Sequence, residues 1–375
     1  LHNYVINQGF QSHVAYSAYR CNLKNSFKIE SKIENYLRRA LNRFLGRKYI
    51  HSVPGTLRLI KKIKRLQPNI IHLHNIQQNS VHFPLLLKFL KKYNVPIVYT
   101  LNDCWPFTGG CYHFTQISCI GYQSGCMKCP LKAEERDVCN KPAGVIYAEK
   151  SSALHALDSL QLICVSNWQK SCAEQSFMKD LPLHVIYNGV DTDIFKPVIS
   201  NIRKDLGISE DKFVILGVAN FWTKQKGIDI FLKLSQSLAP IYRIILVGEL
   251  AENVPQNIIT VNRTDDPKEL VRLYSAADVY LNASREEAFG LTAAEAMACG
   301  TPVIAYQSTA CGEVVSQETG IVLDSFNIED LLQAIAEVRL DGKTKYTKSC
   351  LNRVRELFSK DVMLKNYFDI YKRLL

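Results

Sequence analysis

Ten short apolar runs, separated by stretches of amphipathic character, constrain this chain more than any other feature. In the first half they are SHVAYSAY (12–19), NIIHLHN (69–75), VPIVYTL (95–101), LQLICVS (160–166) and LHVIYN (183–188). In the second half they are FVILGVA (213–219), YRIILVG (242–248), NIITV (257–261), DVYLNAS (278–284) and TPVIAY (301–306). Helical spacing fills the intervals, as in FPLLLKFLKK, NWQKSCAEQS, IDIFLKLSQSL, PKELVRLYSAA and GLTAAEAMAC. Strands that are apolar almost throughout are those of a parallel sheet covered by helices on both faces. A length of 375 residues exceeds what one core usually supports. The turn-rich NGVDTDIFKPV (188–198) stands between the two series as a linker.

The expectation is therefore an α/β protein of two doubly wound, Rossmann-like domains, 1–187 and 188–375, facing each other across a crevice. The last helices fall at 344–358 and 361–373, and the 361–373 segment is expected to pack back on the first domain. In such sheets ligands bind beyond the strand C-termini, so the crevice is the expected site. The chain opens in what reads as mid-helix, LHNYVINQG, and a missing N-terminal piece is expected to precede it.

The formal net charge of +11 is concentrated at one end. Residues 1–70 hold fourteen Lys and Arg against Glu30 and Glu34, whereas residues 71–375 are net −1. ENYLRRALNRFLGRKY (34–49) puts Tyr36, Leu37, Ala40, Leu41, Phe44 and Leu45 on one helical face, with arginines on the rest. TLRLIKKIKRL continues in the same style. Such helices either lie on anionic lipid or cover a core with solvated arginines, and the pattern leaves both open for residues 34–65. No apolar run is long enough to span a bilayer and no signal peptide is recognisable, so a cytoplasmic location is expected, with peripheral attachment to the inner face of the membrane as the variant.

Twelve cysteines in that setting favour thiols or metal ligands over disulfides. Six are scattered, but Cys111, Cys119, Cys126 and Cys129 crowd one stretch of a Cys-rich loop, 103–139. Their C-x7-C-x6-C-x2-C spacing contains one Cys-x-x-Cys, so a structural zinc site and a set of packed free thiols are both open, with Cys104 or Cys139 as substitute ligands. A nucleic-acid-binding zinc protein would need a basic stripe here. Instead Lys128, Lys132 and Arg136 are balanced by Glu134, Glu135 and Asp137.

The chemistry concentrates in REEAFGLTAAEAMACGTPVIA (285–305). Glu287 and Glu295 lie eight apart around a strand-to-helix junction at Gly290, where a helix N-terminus offers free N–H groups. Carboxylates so placed accept hydrogen bonds from hydroxyl-rich ligands, a sugar or a ribose. Two solvated glutamates on a helix are the alternative.

E-x7-E followed by EAMACGTPVIA resembles the donor-site signature of family-4 retaining glycosyltransferases of GT-B fold, among them bacterial exopolysaccharide and capsule enzymes with a similar Cys-rich loop. PNIIHLHNIQ, TLNDCWPFTGGC, VSNW, VIYNGVDTDIFKP and ILGVANFWTKQKGIDIF follow in family order along nearly the whole chain. The resemblance implies transfer of a sugar from a nucleoside-diphosphate donor to a saccharide acceptor, lipid-linked, with retained anomeric configuration and no catalytic metal. It implies that Glu287 holds the donor sugar beside the Phe289-Gly290-Leu291 backbone, that Glu295 takes the ribose, and that Lys226 neutralises the diphosphate. Asn102 stands where the family carries a histidine over the donor, and Asn220 where it carries an arginine. The family's first strand and Gly-rich loop would precede Leu1.

His74 and Asp103 are read on the acceptor side, while His72, on the same strand face as His74, is read as a hydrogen-bonded structural histidine. Asp191-Thr192-Asp193 lies in the linker and is read as turn and cap rather than as a metal motif. The competing readings are a nucleotide-sugar epimerase or a donor hydrolase of the same fold and, outside enzymes, a zinc-containing nucleic-acid-binding protein.

Overall fold

The computed structural model describes residues 1–17, 21–30, 34, 52–76, 81–131, 142–251 and 254–375. Compactness divides the chain into one unit of Leu1–Ile186 with Leu364–Leu375 and another of Tyr187–Met363. Each is described by itself.

In the second unit β7 (Phe213–Phe221), β8 (Tyr242–Glu249), β9 (Ile258–Val261), β10 (Val279–Asn282), β11 (Val303–Tyr306) and β12 (Gly320–Leu323) form one parallel sheet in the order β12-β11-β10-β7-β8-β9. Counted within the unit this is the 3-2-1-4-5-6 order of a doubly wound fold, and the order reverses between β7 and β10. The central strands are buried almost end to end, Val214 to Leu216 and Val279 to Asn282, as two-sided coverage requires. Helices Ile228–Ser237, Pro267–Ala276 and Leu291–Ala298 follow β7, β9 and β10. Strand β12 and helix Ile328–Asp341 were not read from the sequence. The strand is only four residues long and its GIVL run is half-exposed, so it carries little periodic signal.

In the first unit β3 (Ile71–His74), β4 (Ile97–Leu101), β5 (Leu160–Cys164) and β6 (Leu183–Val185) pair in parallel and in sequence order. Helix Phe83–Tyr93 opens at Pro84, is capped by the His82 ring accepting from Leu85 N–H at 3.1 Å, and ends at left-handed Asn94. The SHVAYSAY run yields only β1 (Val14–Tyr16), which pairs in parallel with β2 (Ser26–Lys28) in a separate two-stranded sheet. Helix Val53–Leu66 buries Leu59 and Ile63 and exposes Val53, Leu57, Arg58, Lys61, Lys64 and Arg65. Of the basic 34–49 segment all but Glu34 lies outside the described residues, as does Cys139.

The final helix, Lys360–Leu374, supplies the first unit with Tyr367 and Tyr371. Thr100 on β4 shares hydrogen bonds with Tyr367 Oη (2.9 Å) and His72 Nε2 (2.8 Å), and His72 Nδ1 meets Tyr371 Oη. Burial, then the neighbouring His74 ring, holds the His72 pKa well below its ordinary value, so a neutral structural histidine fits. Among the described residues no helix is long and apolar enough to cross a membrane.

Candidate functional site

The reversal of strand order between β7 and β10 leaves a gap above their C-terminal ends, because neighbouring connections depart to opposite faces. Both loops that border this gap carry residues singled out above. Lys226 comes from the loop after β7 and Glu287 from the loop after β10, and Lys226 Nζ lies 2.6 Å from Glu287 Oε1. Their side chains are 35% and 21% exposed, and such a pair is worth only about 0–1 kcal/mol. The pair is therefore weak as a fold-stabilising contact, and an incoming anion can re-partner the lysine at small cost.

The loops themselves are held hard. Arg285 N–H donates to Gln225 O at 2.9 Å, and the Arg285 guanidinium forks onto the two Asp229 carboxylate oxygens at 2.8 and 2.7 Å. At Gly227 (φ +80°) a Cβ would sit 2.2 Å from Ala283 O, so only glycine lets the two loops touch. Glu287 N–H donates to Thr309 Oγ1 at 2.9 Å, which fixes the backbone behind the carboxylate.

Helix Leu291–Ala298 begins beside this pair at left-handed Gly290 (φ +98°), with no side-chain cap. Its first-turn N–H groups and dipole thus remain available to an anion. Asn282, 3% exposed, accepts from Ser284 N–H, while its Nδ2 is buried without a partner among the described residues. That nitrogen lies 3.6 Å from where a Gly290 side chain would begin. Asn282 went unremarked in the sequence; the signal was a polar side chain closing an otherwise apolar strand. One turn into the helix, Glu295 Oε2 accepts from Tyr274 Oη at 2.9 Å. Burial pushes the Glu295 carboxyl up to about 7, only partly opposed by the tyrosine.

The remaining donor-side residues divide by environment. Asn220 is exposed near the end of β7 and Leu291 is 41% exposed. Phe289 is 3% exposed and packs on Tyr187 and Phe358, so only its backbone is left for a ligand. In the first unit His74 ends β3, and Asn102 and Asp103 follow β4, its neighbour. The Asn102 Nδ2 is buried without a partner among the described residues, while Asp103 Oδ1 accepts from Trp105 N–H at 2.9 Å. Asp191 serves the linker turn, taking Asp193 N–H at 3.2 Å and Lys360 Nζ at 2.5 Å.

Cys111, Cys119, Cys126 and Cys129 line one small cavity and are free thiols. Cys104 is buried but does not line it. Among the described residues no group of three His, Cys, Asp or Glu side chains stands in position to hold a metal ion.

A switch-point cation, an unblocked helix N-terminus and two carboxylates within nine residues suit a phosphate-bearing, hydroxyl-rich ligand. Comparison with known proteins agrees with that chemistry. Residues 1–194 match the family model described as Glycosyltransferase Family 4, and residues 198–355 that of Glycosyl transferases group 1. The chain belongs to glycosyltransferase family 4.

This family-4 chain is 24% identical to an Escherichia coli (strain K12) protein named as colanic acid biosynthesis glycosyl transferase WcaC, over 100% of this chain and 95% of that protein. Its fold is similar to that of WaaG, a glycosyltransferase involved in lipopolysaccharide biosynthesis, with TM-score 0.62 and 16% identity over 98% and 93% of the two chains. It is likewise similar to Anabaena HepE, solved in complex with UDP, with TM-score 0.66 and 16% identity over 93% and 85%. These structures bear out the two Rossmann-like domains of a GT-B glycosyltransferase.

Proposed function

We propose that this glycosyltransferase moves a sugar, with retained anomeric configuration, from a nucleoside-diphosphate sugar to a lipid-linked saccharide acceptor in bacterial surface polysaccharide synthesis. The observation that carries the reading is the Lys226–Glu287 pair at the point where strand order reverses, beside the helix that Gly290 opens. In this reading the diphosphate takes Lys226 and the first-turn N–H groups, releasing Glu287 to accept hydrogen bonds from the donor sugar. Negative charge grows on the leaving diphosphate in the transition state, and a fixed cation with helix N–H donors stabilises it without reorganisation. Glu295 accepts the ribose hydroxyls. Asn102 takes the catalytic position over the donor, and His74 and Asp103 serve the acceptor side. Retention proceeds by front-face displacement, the departing phosphate taking the acceptor's proton. The names of WcaC and WaaG support a polysaccharide setting, and the UDP in HepE supports a nucleotide-sugar donor. The outward face of helix Val53–Leu66, with Val53 and Leu57 beside Lys61, Lys64 and Arg65 while Arg58 pairs with Glu34, supports a membrane-surface acceptor and a cytoplasmic, peripheral location.

Incubation with a panel of nucleotide sugars and lipid-linked saccharides tests this. Transfer with an α-to-α or β-to-β outcome supports the proposal. Epimerised donor, free sugar alone, or no nucleotide-sugar binding by calorimetry overturns it.

A further inference from the structure

The segment after β4 runs from Asn102 to Leu131 with little regular structure beyond short turns at Trp105–Phe107 and Gly121–Gln123. A stretch of that length without helix or strand needs its own means of holding shape. Part of the means is an aromatic cluster: Phe114 and Tyr122 rings stand 4.6 Å apart, with Phe107 against both. Part is seating on helix Ala143–His155, where a Cβ on Gly109 would lie 2.7 Å from Ala143 O and one on Gly144 2.6 Å from Met127 Sδ.

What these contacts leave unexplained is the treatment of sulfur. Cys111, Cys119, Cys126 and Cys129 are spread along this loop yet line the same cavity of about 10 Å³. Gly109 N–H donates to Cys126 Sγ at 3.2 Å, and Gly121 N–H to Cys119 Sγ at 3.4 Å. Sulfur accepts weakly as a neutral thiol and more strongly as a metal-bound thiolate, so backbone donors directed at it suit ligation. Cys126 adopts a left-handed backbone (φ +56°), directly after left-handed Gly125. A non-glycine residue held there reflects a turn that surrounding contacts over-determine. Finally Lys150, 2% exposed, reaches under the loop, donating to Trp105 O at 2.5 Å and Thr108 O at 3.1 Å. Four sulfurs on one cavity, backbone donors on two of them and a buried cation beneath the loop form surroundings that suit metal-bound thiolates.

We propose that Cys111, Cys119, Cys126 and Cys129 form a structural site for one zinc ion. Binding exchanges four S–H protons, released to solvent, for four Zn–S bonds and leaves the centre with a net charge of −2. Gly109 N–H, Gly121 N–H and Lys150 offset that charge. The cavity has room for about one water-sized sphere, which suits a single ion and not a multi-iron cluster. The thiols now stand too widely for ligation, so binding draws Cys119 and Cys129, the two less buried, inward to Zn–S distances of about 2.3 Å. The role is a staple on the loop that carries Asn102 and Asp103, with four protein ligands and no open position for catalysis.

Elemental analysis of the purified full chain, grown with zinc and kept reduced, tests the site. About one zinc per chain is expected, falling below about a tenth in the Cys119→Ser/Cys129→Ser double variant and staying near one in Cys21→Ser. Chelation should lower the thermal midpoint, and added zinc should restore it with proton release in calorimetry. Wild-type protein that holds less than about a tenth of a zinc and takes up none when it is added overturns the proposal. So does a double variant that keeps its zinc, or iron in stoichiometric amount. If the double variant does not fold, zinc content and competition with a chromophoric chelator in the wild type still decide.

Discussion

Replacing Glu295 by glutamine gives the most quantitative test of the donor site. The carboxyl is displaced from an ordinary 4.5 to about 7 by burial beside Tyr274. Between those values the folded protein holds a proton that the unfolded chain has lost, so folding takes up a proton and stability falls as pH rises. The contribution is fully present below about pH 4.5 and is lost as pH climbs through 7. At about 1.4 kcal/mol per pH unit, the displacement corresponds to roughly 3 kcal/mol of destabilisation above pH 8. The amide of the Glu295→Gln variant keeps an oxygen for the Tyr274 hydroxyl and carries no charge. That variant should therefore match the wild type near pH 5 and exceed it by up to about 3 kcal/mol at pH 8.5, read from urea unfolding at a series of pH values. It should also bind a nucleoside diphosphate more weakly, because hydroxyls donating to Glu295 favour its charged form. Binding to the wild type at pH 7 should correspondingly release about 0.5 proton, measured by calorimetry in buffers of different ionisation enthalpy. A stability gap between variant and wild type that does not change from pH 5 to 8.5 refutes the assignment of a buried, uncompensated carboxyl.

Glu287→Ala should fold normally, because its ion pair contributes little to stability, and on the proposed role in holding the donor sugar it should lose transfer by about 100-fold or more. Lys226→Met should weaken nucleoside-diphosphate binding and flatten its salt dependence, measured by calorimetry at several ionic strengths. Gly227→Ala combines a positive φ with a 2.2 Å contact to Ala283 O, and should cost more than about 4 kcal/mol, seen as loss of soluble protein or a collapsed thermal midpoint. In the first unit, Tyr371→Phe removes the partner of buried His72 Nδ1 and should cost about 1–3 kcal/mol by denaturant unfolding.

Much of the architecture could be read directly. β4, β5, β7, β8, β10 and β11 are buried on both faces over most of their length, and such burial writes a nearly unbroken apolar run, whereas in β3 only Leu73 is buried. Among the elements that escaped notice, β2, β12 and helix Ala143–His155 have little periodicity, the helix spreading its apolar residues around its axis and burying Lys150, whereas helix Ile328–Asp341 was missed although Leu331, Ala334, Ile335 and Val338 stand at helical spacing. Glu287 and Glu295 were legible because two carboxylates flank a strand-to-helix junction, and Lys226 was legible only through the resemblance to family-4 glycosyltransferases. Asn282 and Tyr274 were not, since each sits inside an apolar run and matters only through what lies beside it in space.

The sequence alone determined the class of fold, the location of the acidic and basic side chains at loop junctions, and the family to which they belong. Those properties depend on local pattern, which a linear reading preserves. Only the tertiary structure decided that Lys226 and Glu287, 61 residues apart, form an ion pair where the strand order reverses. It also decided that Glu295 is buried enough to hold a proton near neutral pH, and that four cysteines spread along one loop share one cavity. Charge, proton affinity and metal affinity are set by dielectric surroundings and distance, and both are properties of the packed chain.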